Sequence, residues 1–189
     1  LQFGAGTALL ELIHDIAHRR GLGDMLAEGS RLASESIGQG SQAFAPHVKG
    51  LEIPGYEPRA LQLMALGFAV GTRGADHNKS GAYEIDFSDK VDRFQATTSD
   101  VRYAIASEDE AAMMDSLILC KFLRGVFDDR MAAMAEMLSL VTGRSISSES
   151  ARKSAEQIIA AKKWYNLRQG WTAAEDTLPE RFLSTTLSV

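Results

Sequence analysis

Apolar residues recur at helical spacing along most of the chain. Leu9, Leu12, Ile13 and Ile16 fall on one stripe of a helix that Thr7 can cap, with Arg19 and Arg20 in its last turn and Gly21 as its stop. The same period predicts a second amphipathic helix over 24–37, with Leu26, Leu32 and Ala33 inward and Gly38 at its end. A third, begun by Pro58 and running to Val70, is apolar on nearly every side, so it should be buried all round. Helical patterns resume near Ser99: one through "SEDEAAMMDS", one from Asp128 to Thr142 closed by Gly143, and a long one from Ser147 or Ser148 to about Arg168. No convincing strand alternation, internal repeat or low-complexity stretch interrupts them, and the predicted fold is all-α.

Two segments break the pattern. "KGLEIPGYEPR", residues 49–59, carries two prolines and two glycines and reads as an irregular connection. "GTRGADHNK", residues 71–79, places a polar loop directly after the most apolar helix. Gly71 and Gly74 permit turns that present successive backbone N–H groups, and Arg73 and Lys79 add the charge that suits an anion such as a phosphate. His77 adds a proton carrier. A loop that leaves a buried helix is costly unless something polar meets it, either an anionic ligand or its own internal ion pairs.

Composition narrows the class. With 189 residues, 45% hydrophobic and 24% charged, the chain suits a soluble globular protein of one domain or two intimately packed ones. A net charge of -5 argues against a nucleic-acid or anionic-membrane surface. The apolar run from Leu63 to Val70 is too short to span a bilayer, and no signal peptide opens the chain. Cys120 is the single cysteine, which excludes an internal disulfide and suggests a reducing, cytoplasmic setting. Because the sequence begins at Leu1 and not at methionine, a piece of something longer is one expectation.

Candidate chemistry is scattered. "HDIAH" sets His14 and His18 at i and i+4, as zinc proteases do with a glutamate in second place, but Asp15 stands there. Glu11, His14, Asp15 and His18 together read as a solvated helix face. Met113, Met114, Met131, Met134 and Met137 read as flexible core packing, and "EDE" at 108–110 as a solvated, dipole-matched face. In "DSLILC", Asp115 and Cys120 do not face each other on a regular helix, so a joint role requires a turn between them.

"KGLEIPGYEPRALQLMALGFAVGTRGADHNK", "DSLILCKF" and "DTLPERF", in this order, resemble the carboxy-terminal part of the tungsten-containing aldehyde ferredoxin oxidoreductase family. The resemblance covers nearly the whole chain. It implies residues 1–46 as the end of a second, helical domain and 47–189 as a third helical domain, incomplete at its end, with the amino-terminal pterin-binding β domain absent. It further implies a bis-pterin tungsten or molybdenum centre, a 4Fe–4S cluster, an aldehyde substrate and a ferredoxin-like electron carrier. Carried over by position, Asp115 would bond a pterin's amino-pyrimidine edge, the backbone at Leu119 would touch the same cofactor, and Cys120 would ligate the cluster. His77 matches a histidine near the metal that handles the substrate oxygen, and Lys79 a basic residue near the pterin, with Arg73 beside it. Ile118 stands where the family motif has glycine, which bears on how closely backbone approaches pterin. A cluster needs about four cysteines, so this chain alone is expected not to hold the whole cofactor. It would require the missing amino-terminal part of the same protein, and self-association is compatible with that. The alternatives are a cofactor-free helical structural or interaction module, or a family member acting on another substrate.

Overall fold

A computed structural model describes residues 2–187. Helices dominate it: α1 (Gly6–His18), α2 (Leu22–Leu26), α3 (Gly29–Ile37), α4 (Gln62–Val70), α5 (His77–Ser80), α6 (Tyr83–Asp86), α7 (Val101–Ser116), α8 (Arg130–Thr142), α9 (Ser148–Arg168) and α10 (Glu180–Ser184). The long helices keep the limits that their caps dictate. Ser147 accepts the Ser150 N–H at the start of α9, Asp129 accepts the Ala132 N–H at the start of α8, and Gly143 closes α8 with φ 70°.

Four expectations need correction. Thr7 lies inside α1, which begins at Gly6 without a side-chain cap, and α1 buries none of its residues. The predicted helix over 24–37 is two, because Gly29 takes φ 83° and turns the chain between α2 and α3. Pro58 is buried in the turn ahead of α4, not in its first turn. Within residues 49–59 the chain is less irregular than its glycines suggest. β1 (His47–Val48) pairs antiparallel with β2 (Leu51–Glu52), and Lys49 and Gly50, both at positive φ, form the two-residue turn of a short hairpin.

The packing explains the patterns. In α7, α8 and α9, Met113, Met114, Met131 and Met134 fill the space left by Ala112, Ala135, Ala151 and Ala155, with Met137 packed at the edge. Small residues let the helices approach, and unbranched thioethers fit the irregular gaps. Helix α4 lies between two further clusters, Leu63 facing Ala82 and Ala104 while Met64 and Phe68 face Val48, Leu61 and Ala75. Most of α4 is therefore buried as its composition demands, but not all round, since Leu66 and Ala69 are only half-buried and Val70 is exposed at its end. The orphan N–H groups of Leu63 and Met64 are met by the buried Asp86 carboxylate at 3.1 and 2.9 Å, which fixes α6 under the start of α4. At the far end, Asp176 of "DTLPERF" clasps Lys49 at 2.9 Å and Lys163 at 2.5 Å, so this motif ties the hairpin to α9.

Candidate functional site

Gly71 leaves α4 buried, and Gly74 turns the chain at φ 87° so tightly against the hairpin that a Cβ there would lie 2.1 Å from the Val48 carbonyl oxygen. The turn delivers Asp76, whose carboxylate accepts the Asn78 N–H at 2.9 Å and starts α5. His77 and Lys79 thus sit on one helical turn, not in a free loop. Asp76 also pairs with Arg73, whose side chain is otherwise exposed. Arg73 therefore answers the loop's own carboxylate.

Helix α7 ends one residue past Asp115 in a Schellman turn. Ile118 N–H donates to the Asp115 carbonyl at 3.2 Å and Leu119 N–H to the Met114 carbonyl at 2.9 Å, with Ile118 in the left-handed region at φ 58°. This is the turn that "DSLILC" required between acid and thiol. It seats the Leu119 side chain against the methionine core and uses its N–H within the cap, and it leaves Cys120 exposed. Glycine in the family motif has a conformational reason at this position, independent of any ligand.

Across 36 residues of sequence the two segments meet. Asp115 accepts Lys79 Nζ at 2.9 Å on one oxygen and Lys121 Nζ at 2.8 Å on the other. Lys121 also donates to the Ala111 carbonyl at 2.8 Å. Partial burial opposes the charge on Asp115, but hydrogen bonds from Lys121 and Lys79 outweigh it and hold the carboxyl below its ordinary range. Burial also lowers Lys121 despite Asp115 beside it, and Lys162 is lowered by burial and then by Lys79. Lys79, Lys162, Glu108 and Thr72 line a cavity of about 10 Å³, the space of one water.

Arg124 binds the site together. Its buried guanidinium donates to the Tyr83 hydroxyl at 2.8 Å and the Asn78 carbonyl at 3.0 Å, and pairs with Glu84 at 3.1 Å. The turn that follows Cys120 is thereby fastened to the residue between His77 and Lys79. His77 itself lies against Tyr56 and Tyr83, with ring centroids 5.3 and 5.9 Å away. Arg124 and the tyrosines were not legible as site residues, although an arginine inside the apolar "KFLRGVF" is a sign of a buried, paired guanidinium.

The acidic run is a further correction. Glu108, Asp109 and Glu110 lie in the middle of α7, where Asp109 is buried and Glu110 pairs with Arg130 at 3.0 Å. Burial raises Glu108, helped by Asp109 and opposed by Lys162 and Lys79, and burial raises Asp109, helped by Glu156. A cavity of about 540 Å³ between residues 42–47 and 179–185 touches none of the candidate residues.

The residues fit one edge of a pterin and one corner of a cluster. Each Asp115 oxygen accepts one lysine and keeps a second lone pair, so the half-exposed carboxylate can still take two N–H donors. Cys120 is a free, accessible thiol. Among the described residues no three His, Cys, Asp or Glu side chains form a metal-holding group, so any cluster needs further ligands from elsewhere.

Residues 1–188 match the family described as aldehyde ferredoxin oxidoreductase, domains 2 & 3. The chain is 34% identical over 189 residues to the tungsten-containing aldehyde ferredoxin oxidoreductase of Thermococcus kodakarensis, and 33% identical over 189 residues to that of Pyrococcus furiosus. In both comparisons 96% of this chain is covered, and it spans about 30% of the relative's length. The described helices and the family match over the same residues agree, and the chain belongs to the aldehyde ferredoxin oxidoreductase family.

Proposed function

We propose that this chain is the carboxy-terminal, helical part of a tungstopterin oxidoreductase that oxidises aldehydes to carboxylic acids and passes the electrons through a 4Fe–4S cluster to a ferredoxin-like carrier. The observation that carries the reading is the convergence of Lys79 and Lys121 on Asp115, directly before the exposed Cys120. Motifs far apart in sequence are brought to one place, and that place has the donors such a cofactor asks for.

In this reading Asp115 holds the amino-pyrimidine edge of a pterin, with Lys79 beside it, and Cys120 is one thiolate ligand of the cluster. The missing amino-terminal part of the protein supplies the remaining ligands. When bound, the metal–pterin centre supplies the two-electron redox step. The chain's own residues do the rest. Lys79 and Lys121 keep Asp115 ionised and oriented, Arg124 holds α5 against the cysteine turn, and His77, walled by Tyr56 and Tyr83, moves the proton at the substrate oxygen.

The test is His77→Ala in a full-length version of the protein. Aldehyde oxidation should fall roughly 10²–10⁴-fold, as loss of a general acid–base group does, while tungsten and iron content stay at the level of the unmodified enzyme. Turnover that survives the substitution rejects the role given to His77.

A further inference from the structure

The paired imidazoles of α1 take no part in that chemistry. His14 and His18 stand one helical turn apart on a helix that buries none of its residues. Their rings stack, with centroids 4.0 Å apart and planes 25° apart. His18 Nδ1 lies 2.9 Å from the His14 carbonyl oxygen. A carbonyl only accepts, so Nδ1 carries the proton and the free lone pair of His18 is on Nε2. Metal-ligating histidines are held in this manner, with the non-ligating N–H fixed on a backbone carbonyl or carboxylate.

We propose that His14 and His18 form a surface clamp for a divalent transition ion of the kind imidazole prefers, such as Ni²⁺ or Zn²⁺. Two metal–nitrogen bonds of about 2.0–2.1 Å span at most about 4 Å. The i, i+4 spacing keeps the two rings side by side on one helix face, so turning the His14 ring alone about its side-chain bonds can bring one of its nitrogens to an ion held on His18 Nε2, with the helix and the His18 Nδ1 contact kept in place. Glu11 and Asp15 on the same helix add negative potential, and Arg19, which follows the pair, is already engaged by Asp24 and Glu28. With no third residue completing a metal-holding group among the described residues, water fills the other coordination positions. The clamp is separate from the Asp115 and Cys120 site and does not depend on the function proposed for it.

The experiment is calorimetric titration of the chain with Ni²⁺ in a Cys120→Ser background, so that the exposed thiol does not compete, together with paramagnetic broadening of backbone amide signals. The expected result is a single ion per chain, broadening centred on α1, and an affinity that drops about tenfold or more in either His14→Ala or His18→Ala, because each removes the intramolecular second contact. The double variant should bind no more tightly than a lone histidine allows, and His47→Ala should bind as the background does. Single variants that stay within about twofold of the background, or broadening centred on His47 or His77, overturn the clamp. Both histidines are exposed on α1, so the variants do not threaten the fold.

Discussion

Helices α1 and α7 both carry an apolar stripe of helical period, yet they end in opposite surroundings. Helix α7 buries Ala104, Ala111, Ala112, Met113 and Met114 against its neighbours, whereas α1 buries nothing and leaves Leu9, Leu10 and Ile13 exposed. The difference is one of partners, not of pattern. Helices α8 and α9 lie in the same chain and close over the stripe of α7. On the described chain α1 meets α2, where Gly23 comes so close to the backbone of Asp15 and Ile16 that an added Cβ would sit 2.3–2.5 Å away. A hydrophobic stripe thus predicts a face that has to be covered; it does not say by what.

Core truncation should expose the contrast most sharply. Met131 is fully buried, so Met131→Ala leaves a cavity and should lower stability by about 2–5 kcal/mol. Ile13→Ala removes a half-exposed side chain from α1 and should stay within about 0.5 kcal/mol. Urea denaturation of the two variants measures the difference, and equal losses would mean that the stripe of α1 is packed in solution after all. Gly23→Ala asks the opposite question. Its Cβ cannot be placed without separating α1 from α2, at a cost of about 1–3 kcal/mol. Since α1 holds no buried residue, the separation should stay local. Amides of residues 6–18 should lose hydrogen-exchange protection while α7–α9 keep theirs. Global loss of protection would make α1 part of the same cooperative unit as the methionine core.

What could be read in advance follows the same division. The end of α8 and both ends of α9 were legible because capping is local: Gly143 and Ser147 act on residues within a turn of themselves, while the cap of α8 is Asp129, one residue past the Asp128 expected to open it. The burial of α4 was legible because an all-apolar helix has no other stable place. The break at Gly29 and the exposure of α1 were not, since both depend on which surfaces meet. The site divides likewise. His77, Lys79, Asp115 and Cys120 stood out through their motifs, but nothing in sequence spacing joins Lys79 to Asp115. Arg124 was missed because its partners, Asn78, Tyr83 and Glu84, lie about 40 or more positions upstream.

The acidic run in α7 was misread for the same reason, since a charge cluster looks solvated until the elements over it are known. This has a pH consequence. With its carboxyl raised by burial, folded Glu108 keeps a proton above the ordinary carboxylate range, where the unfolded chain has lost it. Its contribution is therefore complete in acid and is lost as pH rises through that window. Asp115, held low, behaves in reverse and weakens the fold only as pH falls below the ordinary range. Glu108→Gln removes the first effect and leaves the second. The variant should match the parent in acid and become progressively the more stable as pH approaches neutrality, as read from urea midpoints across the range. A constant offset at every pH would show that Glu108 acts through packing and not through its proton.

The last effect expected is a small gain, and it concerns Ile118, which stands where the family motif has glycine. In sequence terms Ile118 looks like an obstacle, a bulky side chain where backbone has to approach a ligand. In the structure its side chain is almost fully exposed and its backbone is the left-handed link that closes α7. A β-branched residue in that region carries strain of about 1–2 kcal/mol, which glycine does not, although glycine also frees the unfolded chain by about 0.5–1 kcal/mol. Ile118→Gly should therefore raise stability by about 0.5–1 kcal/mol, seen as a higher urea midpoint at unchanged slope. Little packing is lost, because the exposed side chain has little to lose. If the variant is destabilised, Ile118 makes a contact that this chain alone does not display, and the glycine of the family motif then serves the ligand more than the turn.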